Sequence, residues 1–187
     1  IRLMDFNDTT AAQFADALSR GSEDRAHGYI VDVRNNGGGE LSSILEILDM
    51  LLPEGPIVRI QYKDGTEQVY ESDANEFKAP MVVLANSNTA SAAELFVSAL
   101  KDYQRAVVVG TVTYGKGTVQ SLIPFEDGSA LRISTSMYAP PYSDNYEGIG
   151  VTPDIESGLD EQYRGINLFK LAHDNDAQLQ AALALYK

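Results

Sequence analysis

The sequence contains no cysteine. Disulfides, thiolate metal centres and a cysteine nucleophile are therefore excluded, and the absence suits an exported bacterial protein, which places it outside the cytoplasm, in a periplasm or cell envelope. Histidine is scarce, with only His27 and His173 present. The first precedes a predicted strand and the second lies in the polar run AHDNDA. A Ser-His-Asp triad has little to draw on, and no G-x-S-x-G elbow occurs. Positive charge is also in short supply. Against 27 Asp and Glu stand 14 Lys and Arg, giving a formal net charge of −13, which argues against nucleic acid or an anionic membrane as partner. No apolar run suits a signal peptide or a membrane span, and neither repeats nor low-complexity segments are seen. The chain opens at Ile1 inside the apolar run IRLMDF, so we expect a processed or truncated piece of a longer protein.

What is present is an ordinary globular pattern. At 187 residues with 44% apolar content, the chain is long enough for one substantial core, residues 1–187, with a small hairpin insertion near 57–72. IRLMDF reads as a strand. NDTTAAQFADALSRGS reads as a helix capped by Asp8 or Thr9 and stopped by Gly21. Short β-branched runs at His27–Arg34, in APMVVLANSN and in AVVVGTV read as buried strands. Amphipathic helices follow the first two, in LSSILEILDMLLPEG and SAAELFVSALKDYQR. Asp64-Gly65 and Asp127-Gly128 are hairpin turns, and the tail through AQLQAALALYK ends in a helix. This alternation predicts an α/β fold with a mostly parallel sheet, right-handed crossovers and added antiparallel hairpins.

In such sheets, function gathers beyond the carboxyl ends of the strands. Three strand ends carry unusual residues: Asn35–Gly39, Asn86–Ser91 and Thr113–Thr118. Gly110–Lys116 fits the first seven places of a nucleotide-binding P-loop, but Gly117 stands where the metal-binding hydroxyl belongs. The residues that follow read as a strand where a P-loop requires a helix, so no nucleotide is expected. Ser91 heads a helix, and SAAE matches a capping box, so it is either an N-cap or a nucleophile. If Asn88 or Thr89 caps the helix, the Ser91 hydroxyl is left free beside backbone N–H groups suited to an oxyanion. A serine needs a base, and a lysine serves when burial disfavours its charged form. Lys116, between two glycines past a buried strand, is either that base or an ordinary turn lysine. Gln120 shares its facing if the strand spacing stays even. The run Gly37–Gly39 is either a tight turn or a loop that offers N–H groups to a ligand.

Taken together, GYIVDVRNNGGG, VVLANSNTASAAELFVSALKDYQRAVVVGTVTYGKGTVQ, DGSALRISTSMY and GIGVTPDI resemble the C-terminal processing (tail-specific) serine peptidases, in order, from about Gly28 to Ile155. The resemblance implies a ClpP/crotonase-like core of stacked ββα units and a Ser-Lys mechanism. It carries the nucleophile onto Ser91, the general base onto Lys116 and a helper onto Gln120. It also implies oxyanion donors at the backbone of Ala92 and of Gly38 or Gly39. The implied reaction is hydrolysis of proteins or peptides near unstructured C-termini through an acyl-enzyme, without metal, nucleotide or other cofactor. A lysine base further predicts that activity is lost on acidification. YAPPYSDNYEG departs from the family's Y-x-T-P-S-G style segment, and the PDZ domain that usually precedes the core is not in this sequence. Two alternatives stand beside this reading. One is a latent or non-catalytic peptide-binding core that needs a missing domain. The other is a crotonase-like acyl-CoA enzyme, which would want basic residues for the CoA phosphates.

Overall fold

The computed structural model describes residues 1–186. Four strands form a parallel sheet in the order β1 (Tyr29–Asp32), β4 (Met81–Ala85), β5 (Val107–Gly110) and β8 (Ile155–Glu156). The sequences YIVD, MVVLA and VVVG are short and β-branched because both faces of this sheet are covered. Val31, Val83 and Val108 point into the main core with helices α1 (Thr10–Glu23), α2 (Leu41–Asp49) and α3 (Ala92–Asp102). Val82, Leu84 and Val109 face the other way, against Ala182 of α4 (Ala177–Ala184). The period-2 alternation thus splits each strand between two cores.

The second sheet is antiparallel, in the order β3 (Glu67–Ser72), β2 (Gly55–Tyr62), β7 (Ala130–Ala139) and β6 (Thr118–Pro124). The two hairpins turn at Asp64-Gly65 and Asp127-Gly128, where both glycines have positive φ. They join edge to edge through β2 and β7, with Arg59 opposite Ala139 and Tyr62 opposite Ser136. The hairpin at 57–72 is therefore half of a shared sheet. Between Val119 and Gln120 the register of β6 on β7 shifts, leaving Thr135 as the extra residue of a bulge.

Three local expectations are corrected. IRLMDF is not a strand: it makes only isolated parallel bridges, Arg2 to Asp32 and Phe6 to Gly39. A run this short, interrupted by an exposed Met4 and Asp5, lies along the β1 end without a continuous ladder. Gly21 does not stop α1, which continues to Glu23. Its role is spatial, since a Cβ there would lie 2.6–2.9 Å from the Tyr29 phenol ring. The strand expected over His27–Arg34 is trimmed to Tyr29–Asp32. Lys187, the last residue of the predicted tail, lies outside the described residues.

The tail is anchored by a buried ion cluster. Arg34 is bidentate to Asp32 (2.9 and 2.8 Å) and to Asp176 (2.8 and 2.8 Å), and it also donates to Gln178. Burial alone would raise the Asp32 carboxyl, but the hydrogen bonds and charge of Arg34, with Arg2, outweigh it and hold Asp32 below the usual range.

Candidate active site

Loops leave the carboxyl ends of β1, β4 and β5, and hydrogen bonds stitch them into one surface. Thr89 Oγ1 donates to the Val33 carbonyl (2.9 Å), and Ala90 N–H donates to the Asn36 carbonyl (2.9 Å). Tyr114 N–H donates to the Thr89 carbonyl (3.0 Å), which brings in the third loop. Asn35 accepts through Oδ1 from the side-chain amides of Asn86 (2.9 Å) and Asn88 (3.0 Å). The three strand ends picked out in the sequence therefore meet.

Ser91 sits at the N-cap position of α3 in a capping-box arrangement with Glu94, whose carboxylate takes the Ser91 N–H, while the Ser91 hydroxyl does not reach hydrogen-bond geometry to the helix. Its backbone has φ 57° and ψ −122°, the geometry of a turn position normally given to glycine. Around this conformation both backbone polar groups of Ser91 are engaged. Ser91 N–H donates to Glu94 Oε2 (2.9 Å), and the Ser91 carbonyl accepts from the N–H of Glu94 (2.9 Å) and Leu95 (3.1 Å). Tyr146 Oη adds a longer bond to the same carbonyl (3.4 Å). Burial, with the negative charge of Glu94 beside it, pushes the Tyr146 phenol well above its ordinary range. Neither Asn88 nor Thr89 caps the helix; Thr89 Oγ1 serves Val33 and accepts from Asn86 N–H (3.0 Å).

The glycine loop approaches Ser91 closely. Gly38, at φ +102°, leaves no room for a side chain: a Cβ there would lie 2.8 Å from Ser91 Cβ and 2.9 Å from Ala92 N. Among the described residues, Ala92 N–H and Gly39 N–H have no hydrogen-bond acceptor in the protein. Gly38 N–H, in contrast, donates to Asn36 Oδ1 (2.8 Å). Asn36 is fully buried, and its amide also donates to the Leu3 carbonyl (3.0 Å).

Lys116 lies on the third loop, and its amine donates to Gln120 Oε1 at 3.4 Å, so the even spacing from Lys116 to Gln120 does give a shared facing. No helix follows the lysine; Thr118 opens β6. The backbone around it is gripped from several sides. Gly115 N–H (2.6 Å) and Lys116 N–H (2.8 Å) donate to the carboxylate of Glu94. The Gly115 carbonyl accepts from Gly148 N–H (2.9 Å), and Gly117 N–H donates to Glu147 Oε2 (2.5 Å). The Gly117 carbonyl accepts from Asn145 Nδ2 (2.9 Å) and Tyr138 N–H (2.8 Å). A Cβ on Gly117 would collide with the Asn145 amide, which explains the second glycine.

Residues 1–157 match the sequence model of Peptidase family S41. The chain belongs to that family. It is 37% identical over 188 residues to a carboxyl-terminal-processing protease of Synechocystis sp., covering 99% of this chain and 43% of that protein. Identity to a carboxy-terminal-processing protease of Bartonella bacilliformis is 36%, over 90% of this chain and 41% of the relative. Among solved structures, a photosystem II D1 C-terminal processing protease superposes with a TM-score of 0.78 at 35% identity, covering 84% of this chain and 41% of that one. The S41 chain thus spans less than half the length of these relatives.

Within the S41 chain, the structure brings the backbones of Ser91, Ala92, Gly38 and Lys116 together, with Gly39 next along the glycine loop, and sets Gln120 of β6 beside the Lys116 amine. His27 stands before β1, at the opposite end of that strand from the glycine loop, and His173 opens a short turn before α4. Reading the sequence missed Glu94, Asn36, Tyr146 and Glu147. For Glu94 a signal existed, because it is the one charged residue within the otherwise apolar start of α3, AAELFVSAL. The others act through backbone contacts that have no signature in sequence.

Proposed function

We propose that this chain is the core of a serine peptidase in which Ser91 is the nucleophile and Lys116 its general base. The observation that carries this reading is that Ser91 N–H and Lys116 N–H converge on the same carboxylate oxygen, Glu94 Oε2, at 2.9 and 2.8 Å. Nucleophile and base backbones are thereby held within the sum of those two distances. The Ser91 hydroxyl is unengaged by the helix it heads, and the Lys116 amine has the Gln120 amide as its orienting partner.

In the first step, the Lys116 amine takes the Ser91 proton while Oγ bonds to the substrate carbonyl carbon. The carbonyl oxygen becomes an oxyanion and receives Ala92 N–H together with an N–H of the glycine loop. Gly39 N–H has no acceptor in the protein to give up, whereas Gly38 N–H must first leave Asn36 Oδ1. The tetrahedral intermediate then expels the amine, which takes the proton from the Lys116 ammonium, and leaves an acyl-Ser91 ester. Water, deprotonated by the Lys116 amine, then attacks the ester carbonyl; the second tetrahedral intermediate releases the carboxylic acid, and Ser91 Oγ takes its proton back from Lys116. The relatives' names suggest the substrate class, namely C-terminal segments of proteins, and such extended chains fit a centre built on open loops. An extracytoplasmic setting remains part of this reading and rests on the lack of cysteine.

A second reading, a latent core, draws on the Gly38–Asn36 bond and on the long Lys116–Gln120 contact, although such contacts commonly tighten only with substrate bound. Hydrolysis of casein by the parent, Ser91→Ala and Lys116→Ala chains separates the two. Cleavage by the parent, with both variants folded and at background, supports the peptidase reading. An inactive parent supports the latent core, and an active Lys116→Ala chain removes the lysine from its role.

A further inference from the structure

Glu94 is a fully buried carboxylate on the first turn of α3. Its two oxygens accept four hydrogen bonds. Oε1 takes Thr113 Oγ1 (2.5 Å) and Gly115 N–H (2.6 Å), while Oε2 takes Lys116 N–H (2.8 Å) and Ser91 N–H (2.9 Å). No Lys, Arg or His lies within ion-pair distance of it among the described residues. A capping box requires only the Ser91 contact. The other three bonds reach 19 to 22 residues along the chain, to the loop that carries Lys116. Thr113 extends the set, because the hydroxyl that donates to Glu94 also accepts Val151 N–H (2.7 Å).

We propose that Glu94 is a positioning residue for the Ser-Lys centre. One rigid carboxylate holds the strained backbone of Ser91 and the loop of Lys116, and it fixes their separation before substrate arrives. A carboxylate suits this place because it has only acceptor sites and meets four donors. A glutamine whose oxygen keeps the two shortest bonds, from Thr113 Oγ1 and Gly115 N–H, turns its NH₂ group toward Ser91 N–H and Lys116 N–H and drives that pair apart. An aspartate is one methylene too short to serve both oxygens' partners at once. Either change loosens the relative placement of nucleophile and base, and a displacement of about 1 Å is enough to cost about 10²-fold in rate. The catalytic arm of this proposal rests on the Ser-Lys reading; the geometric arm does not.

The test uses the whole chain as parent, E94Q, E94D, T113V and T113S. Kinetics on a casein-derived fluorogenic peptide give kcat and KM, and proton NMR gives the contact between amide hydrogens. Two N–H groups sharing one oxygen place their hydrogens within about 4 Å, so a Ser91–Lys116 amide cross-peak is expected in the parent. The cross-peak vanishes in E94Q, kcat falls about 10²-fold with KM little changed, and T113S recovers most of what T113V loses. If E94Q does not fold, T113V, which removes one bond of the four, carries the same comparison. A parent without the cross-peak, or an E94Q chain that keeps it, overturns the proposal. So does a folded E94Q chain with parental kcat, or one in which only KM rises. A parent that hydrolyses nothing but shows the cross-peak, lost in E94Q, leaves the positioning role standing and removes the peptidase reading instead.

Discussion

Replacing Ser91 by glycine should make this protein more stable than replacing it by alanine. Ser91 has φ 57° and ψ −122°, a combination that L residues with a Cβ occupy only when their surroundings enforce it. Such a conformation stores about 1–3 kcal/mol. Its hydroxyl makes no capping bond, so Ser91→Ala removes chemistry without removing a hydrogen bond and keeps the strain. Ser91→Gly removes both the hydroxyl and the Cβ. Against the strain relieved stands the larger unfolded-state freedom of glycine, about 0.5–1 kcal/mol. The difference leaves Ser91→Gly ahead by about 1 kcal/mol, which for a chain of this size raises Tm by about 2–4 °C. Calorimetric melts of the two variants, side by side and both without activity, read the difference directly. A Ser91→Gly chain that melts at or below Ser91→Ala would show that Ser91 is not strained, and the reasoning from its backbone would fail.

Other outcomes follow from single contacts. Gly38→Ala sets a Cβ 2.8 Å from Ser91 Cβ at a φ of +102°, so a loss of about 1–3 kcal/mol in a denaturant titration and loss of peptide hydrolysis are expected together. Gly21→Ala would ordinarily gain about 1 kcal/mol inside a helix. Here it meets the Tyr29 ring, so it lowers Tm in the parent and raises it in a Tyr29→Ala background. Arg34→Met leaves Asp176 buried without its cation and Asp32 with Arg2 alone, a cost of about 3–5 kcal/mol that chemical denaturation measures. Since the Asp32 carboxyl is depressed in the folded chain, its contribution is complete above the unfolded value near pH 4 and is lost as pH falls below it. An acid titration of stability should show this loss in the parent and a smaller one in Arg34→Met.

The parallel sheet was legible because burial on both faces forces short β-branched runs, as in YIVD, MVVLA and VVVG. Both hairpin turns followed from Asp-Gly, whose glycine supplies a positive φ. Gly21 was misread because its helix-breaking tendency is weak, and a neighbour's ring, invisible in sequence, decides its identity. At the site, Ser91, Lys116 and Gln120 stood out through their residue types and the strand ends they follow. Glu94 stood in plain view as the last letter of SAAE, where a local cap was the simpler account. Its other three bonds depend on how the Thr113–Lys116 loop returns over α3, which no local pattern encodes. Asn145 and Glu147 were hidden for the same reason, since they hold the backbone of Gly117 from 28 and 30 residues further along the chain.

From Gly115 to Gly117 every backbone N–H and C=O except the Lys116 carbonyl is tied to Glu94, Gly148, Glu147, Asn145 or Tyr138. The lysine is therefore a flexible arm on a fixed mount. Its amine can travel only by rotation about four side-chain bonds, which takes picoseconds to nanoseconds where the side chain is not packed. The bonds that hold this loop oppose its displacement toward Ser91 or away from it. On the Ser-Lys reading, the proton acceptor therefore finds its partners by side-chain rotation, and slow gating would fall to parts of the fold other than this loop.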